Sequence, residues 1–468
     1  MSQQKTTAKT YTAIFSVALM TFLGVLNETS MNVTYPELSR TFGISLDITQ
    51  WITAGYLLMV TIVMGTTAYL LRQYPAKRIH LFCVTAFIVG DIVCALAPSF
   101  AVLLVGRLIQ AVATGLATPT MFFLIFTSIQ RQQLATMTGI GAMVISLAPA
   151  LGPTYGGAVA GAWSWRMIFW ILLPIAVISL LAGQWSINNQ PVGNQKPFSF
   201  ASLLWLALSL LGIVYAVSTV GGGFSICFWL FLVLGLVFFI LFVYSNGHGK
   251  SQLLGLEILH LTTMRLSTFT YFALQFINIG ISLVIPVYCQ YVLHTSALVA
   301  GLVLLPGSIA GAITSPMMGR VADQYGYHLP VVGGSILLVL GTGMYAIFQH
   351  QLTSLMMMWF FIVTRVGFNS AFSTTMANAT TLVPGNQSAD VNSLFNMTQQ
   401  FAGSLGVVLL TALMALFQNT GKGSMAARTF VGGQLDFWLL FGLAVAVLVA
   451  TATNFTVQRI DQQTGTAN

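Results

Sequence analysis

The chain has 468 residues, of which 56% are hydrophobic and only 6% charged, and a formal net charge of +8. A soluble domain of that size with so little charge would aggregate, so the composition excludes a water-soluble enzyme or binding protein and requires the bilayer as solvent. The positive balance has no polar domain to occupy, which excludes a nucleic-acid partner and leaves membrane topology and anionic headgroups as its role.

A hydrocarbon core about 30 Å thick takes roughly 20 apolar residues per helix. Windows of that length recur fourteen times, at 12–38, 48–71, 79–97, 100–128, 134–160, 165–185, 198–220, 224–245, 266–291, 297–321, 329–348, 352–382, 391–417 and 434–455. They are continuously apolar rather than alternating, which favours helices over a barrel, because an element in lipid has to satisfy its own backbone. The expected fold class is an all-α membrane protein with fourteen transmembrane helices. The first window is too long for the apolar region of a cleavable signal and lacks a small-residue cleavage site.

Polar stretches at 186–197 (SINNQPVGNQKP) and 246–265 (NGHGKSQLLGLEILHLTTMR) bracket the seventh and eighth windows, which contain no charge. The chain thus divides as 6+2+6: an N-terminal bundle over 1–185, a linker with two extra helices over 186–265, and a C-terminal bundle with its tail over 266–468. The leucine-rich part of the second stretch reads either as a short amphipathic helix on the membrane surface or as an ordinary loop. With the N-terminus in the cytoplasm, inner segments hold Lys5, Lys9, Arg72, Lys77, Arg78, Arg131, Lys196, Lys250, Arg265, Arg320 and Arg459, and outer loops hold Arg40, Lys422 and Arg428. That bias places both termini in the cytoplasm. Cys83, Cys94, Cys227 and Cys289 all fall within windows, without metal or disulfide spacing, and read as packing residues.

Glu28 stands in the middle of the first window, in LNETSMNVTYP (26–36). An ionised carboxylate at that depth is expensive, so it is protonated, paired or facing a wet cavity, all of which suit a group that takes up and releases a proton; the alternative is a permanently hydrogen-bonded structural carboxyl. Counting ~1.5 Å per residue, Glu28 lies about 15 Å from the outer end of its helix, Arg107 about 11 Å and Asp91 about 9 Å from the outer ends of theirs. Glu28 and Arg107 therefore share the outer half of the first bundle, within reach of direct or water-bridged contact. Asp91, in FIVGDIVCALAP, is the other acid well within a window. Near its helix end it is open to water, and reads either as a second proton site or as a solvated or hydrogen-bonded structural residue. Arg107 reads as a packing and coupling residue rather than a substrate ligand. Arg365, with no acid on its own helix, either fixes the two halves by binding carbonyls across their interface or attracts an anionic headgroup or substrate.

The two halves echo each other: each has an arginine in its fourth window, in VGRLIQ and VTRVGFN, and a glycine-initiated loop after its second, GTTAYLLRQYPAKR and GRVADQYG. Two similar bundles around a central site are what alternating access needs. In the fifth window, APALGPTYGG (148–157) carries Pro149, Gly152, Pro153, Gly156 and Gly157; the glycines permit close helix packing and the prolines free carbonyls and kink the helix. With GRLIQAVATG, WSWRMIFWILLP, PVYCQYVLHTSALVAGLVLLPGSIAGAITSPMMGRVADQYG and NMTQQFAGSLG, this pattern resembles the major facilitator superfamily, and within it the fourteen-helix drug:proton antiporters of EmrB/QacA type.

The resemblance covers nearly the whole chain and implies a major facilitator fold and a transporter rather than an enzyme. It also implies export of small lipophilic molecules, cationic or neutral, in exchange for protons, without a further cofactor or metal, by a monomer in a bacterial cytoplasmic membrane. There is no nucleotide-binding glycine loop to suggest ATP as the energy source. The implied cavity is lined by Asn27, Met31, Asn32, Tyr35, Met121, Phe122, Gln275, Asn278, Arg365, Asn369, Phe372 and Met376, and the implied gating loop uses Gly319, Asp323 and Gly326. Two departures stand out. The loop after the second window lacks the family's aspartate, and the first window has Asn27 where aspartate is common, with the carboxylate one position on at Glu28. The rival readings are a dedicated exporter or flippase of one metabolite or lipid, and a receptor that does not transport.

Overall fold

The computed structural model describes residues 8–129, 131–188, 198–248, 253–384 and 387–464. Lys5, Lys196, Lys250 and residues 189–197 of the first polar stretch lie outside them. The helices in chain order are α1 (Ala8–Ser30), α2 (Tyr35–Phe42), α3 (Leu46–Thr49), α4 (Trp51–Gln73), α5 (Ala76–Ala95), α6 (Phe100–Ser128), α7 (Arg131–Ala162), α8 (Trp165–Ser186), α9 (Phe200–Ser218), α10 (Ile226–His248), α11 (Thr262–Tyr291), α12 (Ala297–Tyr325), α13 (His328–Ile347), α14 (Ser354–Thr381), α15 (Ser388–Thr420) and α16 (Met425–Thr464). No strand occurs among the described residues. Among the described residues fourteen segments are long and apolar enough to cross a membrane, one for each window, with α1 and α2 sharing the first and α3 and α4 the second.

Several helices start where a hydroxyl is available: Ser99, Ser296 and Thr353 accept from the backbone N–H groups of Val102, Val299 and Met356 at 3.5, 3.3 and 3.3 Å, opening α6, α12 and α14. The first span is not one continuous helix. A 3-10 turn, Met31–Thr34, separates α1 from α2. Hydroxyls supply the local reason: Ser30 Oγ donates to Asn27 O at 3.0 Å and Thr34 Oγ1 to Met31 O at 2.8 Å, competing with the α ladder. Pro36, in the first turn of α2, has no N–H to continue it.

Two compact units are present, Met1–Leu211 with Gly235–Leu253, and Gly212–Leu234 with Leu254–Asn468. The division passes through α9 and α10. Within the first unit Trp205 stacks on Phe238 with ring centroids 5.7 Å apart, and within the second Tyr215 meets Phe231 at 4.5 Å and Asn419 Nδ2 donates to Gly221 O at 3.3 Å. Much of α10 is exposed, including Ile226, Trp229, Ile240 and Tyr244, a surface suited to lipid.

Each unit contains a seam where backbones nearly touch. In the first, a Cβ on Gly90 would come within 2.8 Å of Gly106 O, and one on Gly106 within 3.0 Å of Gly90 O, so the backbones of α5 and α6 approach closely there. In the second, a Cβ on Gly334 would reach Gly367 O at 2.8 Å, joining α13 to α14 in the same way. Close approach of this kind is what small residues provide in membranes, where burial of apolar surface does not drive association.

Among its described residues the second polar stretch contains a 3-10 turn, Leu256–His260, with Ile258 buried and Glu257 and His260 exposed, so a two-faced character is present over that turn. Three cysteines pack as expected, Cys83, Cys94 and Cys289 being buried, whereas Cys227 is exposed on α10.

Candidate functional site

The first unit holds a buried polar cluster where α1, α4, α5 and α6 meet. Arg107, fully buried on α6, donates through Nη1 to Asn27 Oδ1 and to Gln110 Oε1, each at 3.0 Å, and through Nε to Ile52 O at 3.2 Å. Tyr56 of α4 lies under the guanidinium, its ring centroid 4.2 Å from the central carbon. The Tyr56 hydroxyl donates to Gly24 O at 3.0 Å and lies 2.5 Å from Thr114 Oγ1. Asp91 on α5 accepts from the same two amides that Arg107 uses, from Asn27 Nδ2 at 3.3 Å and from Gln110 Nε2 through a short bond. Two amides therefore stand between a cation and a carboxyl, carbonyl toward the guanidinium and amino group toward the acid. Arg107 Nη2 and Asp91 Oδ2 are buried without a hydrogen-bond partner.

Asp91 is not open to water, contrary to the reading from its helix position: it is 0% exposed. The seam explains it, because Gly90 and Gly106 draw α5 against α6 and seal the space that bulk water would need. Of the alternatives left open, the hydrogen-bonded one describes its surroundings. Asn27 is equally buried and belongs to this cluster.

Glu28 follows Asn27 and lies within reach of the Arg107 charge, yet it makes no hydrogen bond among the described residues. It keeps 6% exposure where Asn27, Asp91 and Arg107 keep none. The α7 glycines set its surroundings: a Cβ on Gly152 would overlap Thr29 Oγ1 and one on Gly156 would overlap Ser30 O, so α7 presses on α1 immediately after Glu28. Pro149 and Pro153 both lie inside α7, which continues through them, and Gly157 is buried beside them. Met31, Tyr35 and Met121 are fully buried, and Phe122 packs beside Met121 and Ile125. Asn32 Oδ1 accepts from Thr53 Oγ1 at 3.2 Å and the Tyr35 hydroxyl donates to Gln50 O at 3.4 Å, tying the 3-10 turn to the start of α4.

The second unit gathers Gln275, Asn278, Arg365 and Asn369. Arg365 Nη1 makes a short bond to Asn278 Oδ1, Asn278 Nδ2 donates to Gln275 Oε1 at 3.3 Å, and Asn369 Nδ2 donates to Arg365 O at 2.9 Å. The guanidinium carbon lies 5.7 and 5.5 Å from the ring centroids of Phe361 and Phe368. Phe372 stacks on Tyr271 at 4.1 Å, and the Tyr271 hydroxyl lies 3.6 Å from Met376 Sδ and donates to Gln399 Oε1 at 3.2 Å. Asp323 is exposed in the last turn of α12, and Gly326 closes that helix with φ of +82°, a conformation glycine adopts freely, its N–H donating to Ala322 O at 2.9 Å. A Cβ on Gly319 would meet nothing.

Two participants and one isolated buried acid escaped sequence reasoning. Gln110 was announced by its place one turn after Arg107 in GRLIQAVATG, a spacing that puts both on one helix face. Tyr56 had no comparable signal. Asp436 stood at the edge of the window 434–455, but α16 begins at Met425, and the residue lies well inside it, fully buried with neither carboxyl oxygen hydrogen-bonded. No group of three or more His, Cys, Asp or Glu able to hold a metal occurs among the described residues.

Comparison with known proteins agrees with this architecture. The family model for the Major Facilitator Superfamily matches residues 17–407. The lincomycin resistance protein LmrB of Listeria monocytogenes is 29% identical over 445 residues, covering 93% of this chain and 94% of that protein. The multidrug resistance protein Stp of Mycobacterium tuberculosis is 25% identical, covering 86% and 75%. Among solved structures, a peptide transporter POT in complex with sulfate superposes with a TM-score of 0.70 at 15% identity over 96% and 94% of the two chains. An inward-facing bacterial homologue of the lysosomal transporter Spinster gives 0.66 at 15% over 98% of each. The fourteen membrane-spanning segments and the match over most of the sequence place this chain in the Major Facilitator Superfamily, as a multi-pass transporter of the bacterial cell membrane.

Proposed function

We propose that the protein exports lipophilic small molecules from the cytoplasm by proton-coupled antiport, alternating between two access states, with both termini cytoplasmic. The relatives named for lincomycin and multidrug resistance support the cargo class. The observation that carries the coupling is Glu28: it is the acid of the α1 cluster that keeps some exposure, 6%, and lacks a hydrogen bond among the described residues, while the Arg107 charge acts on it. A carboxyl so placed is protonated when its surroundings are dry and released when a cation approaches or water enters, which makes proton occupancy depend on the access state. Asp91 and Arg107, held by Asn27 and Gln110, position the charge that tunes it. The Gly152 and Gly156 contacts to α1 make α7 the element whose movement reaches Glu28 first.

The decisive experiment is proton-driven uptake of a panel of unrelated fluorescent dyes into inverted vesicles, with and without Glu28→Gln at matched protein levels. The proposal expects several dyes to be moved by wild type and pH-driven uptake to be lost in the variant. Concentrative uptake by Glu28→Gln would remove Glu28 from the coupling, and movement of none of the dyes would favour a dedicated exporter.

A further inference from the structure

Among the described residues, Arg365 is a buried cation without a counter-charge. α11 and α14, which supply it and its partners, contain no Asp or Glu, and α12 and α15 have theirs only in the last turn, at Asp323, and in the first, at Asp390. Asp436 on α16 accepts no hydrogen bond and so does not pair with it. What Arg365 has is the neutral Asn278 oxygen and two aromatic rings, and its Nε, buried, has no partner. A guanidinium in a low-dielectric interior is costly unless an anion offsets it, and its planar fork matches an oxyanion better than a lone amide oxygen. The cluster is buried but not sealed: Arg365, Asn278 and Gln275 retain 7, 8 and 5% exposure, while Arg107 in the first unit retains none.

We propose that Arg365, with Asn278 and Gln275 beside it and Phe361 and Phe368 flanking it, is a binding site for an oxyanion on an apolar body, so that the substrates of this transporter include lipophilic acids or zwitterions. Arg365 takes the oxyanion, displacing its bond to Asn278. The Asn278 amino group keeps its bond to Gln275 Oε1, and the freed Asn278 carbonyl accepts from a donor on the ligand. The rings supply the apolar wall. This assignment rests on the export reading only for the word substrate; the site itself is a matter of binding.

The test uses the purified full-length chain in neutral-detergent micelles and reads energy transfer from tryptophan to pyrene, with pyrenebutyrate and its uncharged methyl ester as probes. Wild type is expected to bind the acid at least about tenfold more tightly than the ester, the worth of one charge-assisted hydrogen bond. Arg365→Gln removes the difference, bringing the two within about twofold. Asn278→Asp gives the guanidinium an internal carboxylate, so the preference disappears there with the arginine still present, which decides the matter if Arg365→Gln does not fold. Competition by phosphatidylglycerol assigns the oxyanion to a lipid headgroup; its absence assigns it to a free lipophilic acid. Equal binding of acid and ester by wild type, or a preference that survives both substitutions, overturns the site. An acid preference without pH-driven movement of any dye would instead sink the export reading and leave the site standing.

Discussion

Asn27 and Arg107 meet across 3.0 Å, and the same Asn27 side chain donates to Asp91 at 3.3 Å, so one neutral amide holds a guanidinium and a carboxyl apart while bonding both. Removing it leaves Gln110 as the sole bridge and strands polar atoms in a water-free interior. Asn27→Leu is expected to lower the unfolding free energy by about 2 kcal/mol or more. A thermal melt of the purified protein unchanged from wild type would show that the bridge contributes nothing to stability.

Glu28→Gln keeps the size and hydrogen-bonding capacity of the side chain but removes titration. The variant should insert and fold like wild type, because a neutral amide is cheaper to bury than a charge. Transport against a gradient should disappear while exchange down a gradient persists. Glu28→Asp should retain part of the concentrative activity with a displaced pH optimum, since the proton-binding group withdraws by one methylene. Reconstitution into proteoliposomes with an imposed pH difference measures all three.

Gly156 and Gly161 lie on the same helix and make opposite forecasts. An added Cβ on Gly156 would overlap the Ser30 carbonyl, a backbone atom that cannot swing aside, whereas one on Gly161 meets nothing. Gly156→Ala should impair both folding yield and transport, and Gly161→Ala should leave both close to wild type, within the ~1 kcal/mol by which alanine and glycine differ in a helix. Yield after size-exclusion chromatography and dye efflux from cells distinguish the two.

Asp323 is exposed near the end of α12, so its removal should not disturb the fold. As the surviving acid of the implied gating loop, Asp323→Asn should slow turnover several-fold while substrate affinity and melting temperature stay near wild type. Full transport rate in that variant would make the loop motif decorative.

Asp436 presents the reverse case, a fully buried acid with no hydrogen bond to either oxygen. Such a group is better replaced than kept when only stability is counted. Asp436→Leu is expected to raise the melting temperature with the chain still exported to the membrane. A lower one would reveal a partner for the carboxyl that forms in another access state.

The fourteen spans were legible because a bilayer imposes a length and an apolar composition on each of them, and those are properties of a short window. Arg107, Arg365 and Glu28 were legible for the same reason in reverse, as charges where charge is costly. What Asn27 and Asp91 do was not. Their roles arise from side chains on different helices meeting in one place, and no window contains both. The burial of Asp91 is not legible from its depth along a helix, because it follows from the lateral approach of α6, which depends on two glycines on separate helices. The break after Ser30 was hidden by its apolar setting, although the hydroxyls that cause it and Pro36 were in view.

The glycine seams impose a constraint on motion. α5 with α6, and α13 with α14, bring backbone against backbone at Gly90 and Gly106 and at Gly334 and Gly367, which leaves little room for either helix to shift. Each pair is therefore best regarded as a single rigid body within its unit. Sliding or hinging has to be absorbed where side chains form the contact, as they do where Arg107 reaches α1 and α4, and where Arg365 reaches α11. The two buried arginines thus stand at the compliant joints of their units, where a change in local charge can be converted into displacement.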